Sequence, residues 1–573
     1  MTTAVRPAAA ARPGRPGAGR LALEQVGYTL RDLWRVRVVA VFTFLFPLTW
    51  LLLYGVLAGN DAVDADSGVR VMQFATPSAA VLGLLYATLP TVASSLGLAR
   101  EQGILKRVRG TPLPAGCYVA GRIGGAAVFA IGAVTAMLLV GVLAYDVRIL
   151  GRTLVATVVT LVVAIACFAA LGLAVAMLAP SAAVAQAGSI GAAVVLAMIS
   201  GVMFVGDLPA GLDRVAGVLP LRPLHEALQD QFNPFVSGSG WDLGALAIMA
   251  GWGIAGAGLA AQAFRWDPPA RRGRSHPAED DVPVAPVPAG RTGPVPVATP
   301  GRPGDARLLL AQAAWGMRAA WRDPGTLFFA VAFPVALFVL IAQSVPVDAV
   351  DGVPFVLVTA AGMIAWGVAV VGFVNAAESV ARARDRGVLK RLRGTPLHPA
   401  LYLAGQGLAA LWTGLVVAAL VLLVGVAFLG LRVSWAGLLP AAVVLLLGGA
   451  AVTACGFAVA SVVPSSKAVV AVGLGVLLPV AFVSDVFYTG DTAPAWMDTV
   501  GSVLPLQHLV HGLVSTLNPG GAVVDWAGIA VMGVWLLGAG LVAARGFAWR
   551  DASHRAAPAT DVPARSPVGR SAA

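Results

Sequence analysis

Residues 225–229, which read H-E-A-L-Q, come close to the H-E-x-x-H pattern of zinc peptidases. In that pattern two histidines one helical turn apart bind zinc, and the glutamate between them acts as the general base. Here Gln229 stands where the second histidine is needed, and zinc sites take their ligands from Cys, His, Asp and Glu. The three cysteines also lack metal-ligand spacing. We therefore predict neither a metal site nor catalytic residues in this chain.

ATP hydrolysis by a phosphate-binding loop is excluded by the positions of the lysines. Such a loop needs the sequence Gly-Lys-Ser/Thr, in which the lysine and backbone amides hold the phosphates. The chain has only three lysines, Lys106, Lys390 and Lys467, and they follow two leucines and a serine. We therefore expect this chain to bind no cofactor of its own.

The composition indicates a membrane protein. Of the 573 residues 58% are hydrophobic and 12% are charged, whereas a soluble domain carries about 25% charged residues. Several runs lack Asp, Glu, Lys and Arg entirely, and the longest covers residues 153–206. About 20 apolar residues cross a bilayer as a helix, and continuous rather than alternating runs exclude a barrel. The sequence therefore predicts an all-α polytopic membrane protein.

Twelve transmembrane helices are predicted, six in each half of the chain. The first six lie near residues 38–58, 71–98, 119–144, 154–178, 184–205 and 243–264, and the second six near 326–346, 354–377, 403–430, 437–462, 468–486 and 524–544. Lys and Arg favour cytoplasmic loops. With the N-terminus inside, most of the 39 basic residues fall in cytoplasmic segments, which predicts an N-in/C-in topology.

The domain plan follows from the same pattern. Two six-span domains cover residues 21–264 and 307–550, and a Pro-rich cytoplasmic linker at 265–306 joins them. The tails at 1–20 and 551–573 have the composition of disordered chain, as does the linker. Because each domain has an even number of spans and begins inside, the two are expected to be parallel repeats.

One phrase occurs twice. Residues 103–113 read GILKRVRGTPL and residues 387–397 read GVLKRLRGTPL, so nine of eleven positions are identical at an offset of 284. We call these two stretches the repeated segments. The residues from 98 to 110 predict a short amphipathic helix that stops at Gly110, and Thr111-Pro112 predict the N-cap and first position of the next helix. A loop that only retains positive charge in the cytoplasm would explain one copy, but two ordered copies favour a specific binding partner.

The repeated segments resemble the loop of ABC-2 type permeases, the six-span membrane subunits of ABC exporters, including drug-resistance exporters of actinobacteria. That loop is similar to E-R-x-G-T-L-K-R-L-R-x-T-P-L. The resemblance extends over both halves. It includes the amphipathic stretches before each first span and the Pro-rich segments after each fifth span, which form short re-entrant or extracellular helices in the family.

In the family this loop forms a coupling helix that docks on the nucleotide-binding subunit. The resemblance therefore implies docking residues in both copies: Arg100, Glu101, Lys106, Arg107, Arg109, Thr111 and Pro112 in the first, and Arg384, Asp385, Lys390, Arg391, Arg393, Thr395 and Pro396 in the second. The family subunit usually dimerises, so the tandem fusion implies that one chain supplies a whole pathway. It also implies two copies of a separate ABC ATPase subunit, which would bind ATP and Mg.

Ionisable residues inside membrane spans usually mark ion or proton pathways, and they are scarce here. Asn375 and Glu378 lie near the cytoplasmic end of the eighth span, and Ser94 is the counterpart of Glu378 in the first half. Glu378 is interpreted either as a structural partner for a nearby arginine such as Arg382, which we favour, or as a proton-coupling group.

The resemblance implies a permease that exports its substrate, and the scarcity of ionisable residues in the spans suits a hydrophobic or amphiphilic cargo, such as a drug, an antibiotic or a lipid-like molecule. We expect it in a bacterial cytoplasmic membrane. The preference for Arg over Lys supports the bacterial assignment. The alternatives are a twelve-span secondary transporter driven by an ion gradient and a membrane scaffold that transports nothing. The lipid bilayer is an expected partner, and nucleic acid is not.

Overall fold

The computed structural model describes residues 17–35, 41–57, 60, 62–64, 68–202, 210–263, 304–344, 349–350, 352–395, 397–487 and 495–547. These ranges include most of both predicted six-span domains. The predicted tails and the predicted linker lie almost wholly outside the described residues, and so does Pro396.

The first half contains ten α-helices in the described residues. They are α1 (Ala18–Arg35), α2 (Phe46–Leu57), α3 (Met72–Glu101), α4 (Ile104–Arg109), α5 (Ala115–Tyr145), α6 (Leu154–Leu178), α7 (Ala182–Ile199), α8 (Ala210–Val218), α9 (Leu221–Phe232) and α10 (Leu243–Ala263). A π-helix at Val41–Leu45 precedes α2, and a 3₁₀ turn at Gly151–Thr153 precedes α6.

The second half repeats this order. Its helices are α11 (Asp305–Trp321), α12 (Pro324–Thr326), α13 (Phe333–Ser344), α14 (Phe355–Ala369), α15 (Ala377–Asp385), α16 (Val388–Leu392), α17 (Pro399–Phe428), α18 (Leu438–Val462), α19 (Ser466–Val483), α20 (Ala495–Gly501), α21 (Pro505–Leu517) and α22 (Trp526–Gly546). π-Helices at Leu327–Ala332 and Val370–Ala376 join α12 to α13 and α14 to α15.

Ten helices within the described residues are long and apolar enough to cross a membrane. They coincide with ten of the twelve predicted spans. The predicted first and eleventh spans coincide with shorter apolar helices at Thr43–Val56 and Ala468–Val483. The chain is therefore a multi-pass and mainly helical membrane protein, and twelve crossings with both termini inside stay a prediction.

Two short β-hairpins were not predicted, so the all-α assignment is incomplete in detail. In the first half β1 (Ala62–Asp64) pairs with β2 (Val69–Arg70), and in the second β3 (Ala349–Val350) pairs with β4 (Val353–Pro354), both antiparallel. Their turns contain Gly68 and Gly352, at φ +63° and +76°, a conformation that glycine adopts without a steric penalty. Strands of two or three residues are too short to give an alternating pattern.

Glycines allow the first amphipathic helix of each half to approach the third span closely. A Cβ at Gly124 of α5 would lie 2.6 Å from Cγ2 of Val26 in α1, and a Cβ at Gly405 of α17 would lie 2.5 Å from Cβ of Gln312 in α11. Small residues at helix contacts permit this backbone approach in membranes. The two predicted amphipathic stretches are thus confirmed as helices, each packed along a third span.

The second span of each half is the centre of its core. Met72–Glu101 and the continuous helix Phe355–Asp385 are each 89% buried over their most apolar windows. The fourth span packs against the second through glycine: a Cβ at Gly172 would lie 2.6 Å from the carbonyl oxygen of Leu89, and one at Gly456 would lie 2.7 Å from that of Phe373. Both pairs differ by the same 284 residues, so the repeat is structural as well as sequential.

Short helices after the fifth spans pack back against the bundle. In α9 the side chains of Leu221, Leu224 and Leu228 are buried, at the spacing of one helix face, and α9 contacts α3. In α21 the side chains of Leu506, Leu509 and Leu513 are buried in the same way. The expectation of short helices in these segments is confirmed.

The halves contact each other reciprocally, with the first span of one against the fifth span of the other. In one contact a Cβ at Gly191 of α7 would lie 2.9 Å from the ring of Phe328, and in the other a Cβ at Gly475 of α19 would lie 3.7 Å from Leu45. Gly191 and Gly475 are equivalent residues of the repeat. Equivalent glycines of the two fifth spans thus face the first span of the other half, as expected for an interface with approximate two-fold symmetry.

Candidate functional site

Each repeated segment begins with a sharp break after the second span. In the first half α3 ends at Glu101, and Gly103 has φ +69° before α4 begins at Ile104. In the second half α15 ends at Asp385, and Gly387 has φ +68° before α16. The prediction of one uninterrupted amphipathic helix from residue 98 to 110 is therefore wrong. A left-handed glycine ends the α-helical hydrogen bonding and turns the chain.

The short helix of each repeated segment has one buried leucine and a basic exposed face. Leu105 is fully buried among Leu96, Tyr118 and Met177, whereas Lys106 and Arg107 are exposed. In the second copy Leu389 is buried, and Lys390 and Arg391 are exposed. Arg109 and Arg393 are exposed as well. The apolar anchor fixes which way the basic side chains point, and both copies present them to the outside of the bundle.

The turn after the short helix differs from the prediction. Thr111 Oγ1 donates to the carbonyl of Val108 at 2.6 Å, and Thr395 Oγ1 donates to that of Leu392 at 2.6 Å. The following helices begin only at Ala115 and at Pro399. Thr111-Pro112 therefore do not form the N-cap and first position of α5, whose N-cap residue is Pro114.

Arg100 and Glu101, at the end of α3, bond to the connection between α6 and α7. The buried Arg100 guanidinium donates to the carbonyl oxygen of Met177 at 3.0 Å and to that of Ala179. The Glu101 carboxylate accepts from the backbone N–H of Ala182 at 2.9 Å. Together they join the end of the second span to the turn between the fourth and fifth spans.

Arg384 and Asp385 make the same contacts in the second half. Arg384 donates to the carbonyl oxygens of Ala460 at 2.8 Å and Val463 at 2.6 Å, and Asp385 accepts from the backbone N–H of Ser466 at 2.8 Å. Asp385 is one methylene shorter than Glu101 and still reaches the equivalent amide. We call Arg100–Glu101 and Arg384–Asp385 the anchor pairs. Their role in docking a partner stays a prediction, and their observed bonds lie within the chain.

A family model described as ABC-2 type transporter matches residues 26–232 and residues 308–518. Each match covers most of one half of the molecule and ends before its last helix, and together the matches cover most of the chain. The chain belongs to the ABC-2 type transporter family. None of the curated proteins matches it. Family membership makes this chain a membrane-spanning transport subunit, and the double match agrees with a tandem arrangement of two ABC-2 domains.

The polar residues of the eighth span in this ABC-2 protein are occupied by local partners. Arg382 donates to the Glu378 carboxylate one turn away, as favoured from the sequence. The Asn375 amide donates to Thr326 Oγ1 at 3.3 Å, and Thr326 is in turn held by Asp323. Glu378 is therefore an ion-paired residue in this structure.

A polar cluster joins the second span of the first ABC-2 domain to α9. His225 Nε2 lies 2.9 Å from Ser78 Oγ, and the Gln229 amide donates to the same hydroxyl at 2.9 Å and to the carbonyl of Phe74 at 2.7 Å. Gln229 thus acts as a hydrogen-bond donor where a peptidase would have a ligand. Among the described residues no group of His, Cys, Asp or Glu has metal-site geometry.

Burial lowers the pKa of His225 to about 4, and the nearby Arg222 adds to the effect. The folded protein therefore disfavours the proton that an unfolded chain binds near pH 6.5. Stability from this histidine is present above pH 6.5 and is lost as the pH falls. Between pH 7 and pH 5 we expect a loss of about 1–2 kcal/mol. The measurement is thermal unfolding in detergent against pH, and His225→Gln should remove this share of the slope.

The corresponding region of the second ABC-2 domain holds a different cluster. His511 Nε2 lies 2.9 Å from the Asp485 carboxylate, and the Gln507 amide donates to the same carboxylate at 3.2 Å. Asp485 has φ +56°, an uncommon conformation for a residue other than glycine. The two hydrogen bonds from α21 hold Asp485 just beyond the end of α19.

Proposed function

We propose that this chain is the permease subunit of an ATP-driven exporter whose ATPase is a separate polypeptide. Both termini lie in the cytoplasm, twelve spans cross a bacterial plasma membrane, and the two ABC-2 domains enclose one pathway. Two ATPase subunits bind, one at each repeated segment, and supply the ATP and Mg.

One observation carries this proposal: the two repeated segments present the same exposed basic side chains on equally buried leucine anchors. Retention of positive loops in the cytoplasm requires charge but no fixed order and no anchor. A partner protein that recognises specific side chains requires both a fixed order of the residues and an anchor that orients them. The order Lys106-Arg107 recurs as Lys390-Arg391, with Leu105 and Leu389 buried beneath. Two equal docking surfaces suit two copies of one partner.

The proposed cargo is hydrophobic or amphiphilic. The candidate spans are apolar, and the Glu378 carboxylate near the end of the eighth span is paired with Arg382. An ion-coupled transporter needs carboxylates that can bind and release a proton or cation within the membrane. An ion-paired residue at the end of a span supports ATP as the energy source.

In this mechanism ATP binding brings the two ATPase subunits together and displaces both repeated segments. The reciprocal interface between first and fifth spans is where the halves then move against each other. Rigid-body movement about such an interface is a common form of conformational change.

The test is purification of the tagged chain from its native host in mild detergent, with mass measurement of the intact complex. We expect an ABC ATPase at two copies per chain and ATP hydrolysis that substrate stimulates. One copy per chain would overturn the equivalence of the segments. If no ATPase accompanies the chain under several gentle extractions, the proposal fails and the ion-gradient transporter is favoured.

A further inference from the structure

We propose that the anchor pairs are positioning residues that transmit movement of the repeated segments to the fifth spans. This inference rests on the proposed function, because it concerns how a docked ATPase moves the membrane helices. It assigns to Arg100–Glu101 and Arg384–Asp385 a task distinct from docking.

Each anchor pair forms three hydrogen bonds to the turn between the fourth and fifth spans. Arg100 bonds carbonyls at the end of α6, and Glu101 bonds the first amide of α7, so one dipeptide holds both sides of the turn. Bonds between a charged side chain and helix-end groups are stronger than neutral ones. Arg384–Asp385 forms three corresponding hydrogen bonds in the second half.

Helix capping alone does not explain the two carboxylates. The N-termini of α7 and α19 already have their own caps: Ser181 Oγ accepts from Val184 N–H, and Ser465 Oγ accepts from Ala468 N–H, both at 3.3 Å. Glu101 and Asp385 satisfy additional amides from a different helix. Their bonds therefore tie two elements together rather than complete one.

The short helix of the repeated segment is attached to the same unit. Leu105 belongs to the same buried apolar cluster as Ala174, Ala176 and Met177 of α6. The repeated segment and the fourth span thus share one packed cluster, and the anchor pair bonds to the turn that follows this span. A displacement of the segment moves the turn with it.

Each fifth span begins at the turn to which an anchor pair is hydrogen-bonded and extends to a contact with the other half. The helices α7 and α19, which begin at these turns, carry Gly191 and Gly475, the residues of the reciprocal interface. The path from a repeated segment to the opposite half therefore runs through one anchor pair and one fifth span. Contacts of this kind transmit force only when each link is a packed or bonded contact.

The experiment removes the carboxylates and leaves Arg100 and Arg384 in place. Glu101→Ala/Asp385→Ala deletes one bond in each half, while Ser181 and Ser465 still cap the helices. The matched control is Glu24→Ala/Asp305→Ala, which removes two exposed carboxylates from α1 and α11. Cysteines replace Gly191 and Phe328 in a background where Cys117, Cys167 and Cys455 are alanine. The rate of disulfide formation between the two new cysteines is measured in the complex with its ATPase, with and without ATP.

With intact anchor pairs, ATP should change the cross-linking rate by about threefold or more. The control variant Glu24→Ala/Asp305→Ala should show the same change. The Glu101→Ala/Asp385→Ala variant is measured only in complexes isolated with the parent's ATPase stoichiometry, so that weaker docking is separated from lost transmission, and in these complexes the response should disappear. An unchanged response in that variant would overturn the inference. So would the lack of any response in the parent despite active export, because the fifth span would then not move. Failure of any ATPase to co-purify is a different result, which refutes the proposed function and this inference with it.

Discussion

We expect reversal of both charges, Arg107→Glu and Arg391→Glu, to lower the proposed ATP-driven export by about 100-fold or more, because like charges brought together at a docking surface cost several kcal/mol. Both arginines are exposed on the outer face of their repeated segments, next to the leucine anchors that orient them. The variant should insert into the membrane as the parent does, since neither side chain contributes to the core. The measurement is substrate transport in proteoliposomes with the ATPase added.

The matched control for this prediction is Arg20→Glu/Arg307→Glu. These arginines are also exposed, one in each half, and lie on the amphipathic helices α1 and α11 outside the repeated segments. The control introduces the same change of net charge and should retain export and ATPase binding. Equal loss in both variants would show that general charge, and not the repeated segments, holds the ATPase. Full export by the test variant would refute the docking assignment.

The second large effect concerns packing between the second and fourth spans. Gly172→Ala/Gly456→Ala should lower the free energy of unfolding by about 2–4 kcal/mol in total, because each new methyl group meets backbone atoms that cannot move aside. The contacts at 2.6 Å to the Leu89 oxygen and 2.7 Å to the Phe373 oxygen are far shorter than van der Waals distance. Thermal unfolding in detergent measures the change.

Gly188→Ala/Gly538→Ala provides the control with the opposite expected sign. No heavy atom lies within 4 Å of a Cβ at either position, and both glycines are exposed on spans. Alanine is a better helix former than glycine by up to about 1 kcal/mol per residue. The control should therefore match or exceed the parent in stability. If the Gly172→Ala/Gly456→Ala variant were as stable as this control, the close approach of the second and fourth spans would be contradicted.

The two contacts between the halves of the fused chain are similar but not identical. Each fifth span contacts the first span of the other half through an equivalent glycine, Gly191 or Gly475, but the residues that these glycines face, Phe328 and Leu45, are not equivalent. A substitution at one equivalent residue does not have to suit the other contact, because the chain encodes each separately. A Cβ at Gly191 would lie 2.9 Å from the Phe328 ring, which is too close for a methyl group. A Cβ at Gly475 would lie 3.7 Å from Leu45, which is an ordinary van der Waals contact.

The sequence by itself determined the membrane class, the repeat and the positions of the long apolar helices. Apolar runs of about 20 residues have few alternatives in a bilayer, and an offset of 284 residues is visible without coordinates. The pairing of Glu378 with Arg382 was also accessible, since residues four apart meet on one helix face. Each of these inferences uses information that is local along the chain.

Only the tertiary structure showed that Arg100 and Arg107 have different environments. Both are arginines of the same motif, seven residues apart, yet one is buried against carbonyl oxygens of another helix and the other is exposed. The bonds of Arg100 reach residues 77 and 79 positions away, and the bond to Asp485 from His511 crosses 26. Which distant backbone group meets a side chain depends on how the helices pack, and helix packing is set by many weak contacts that no single motif encodes.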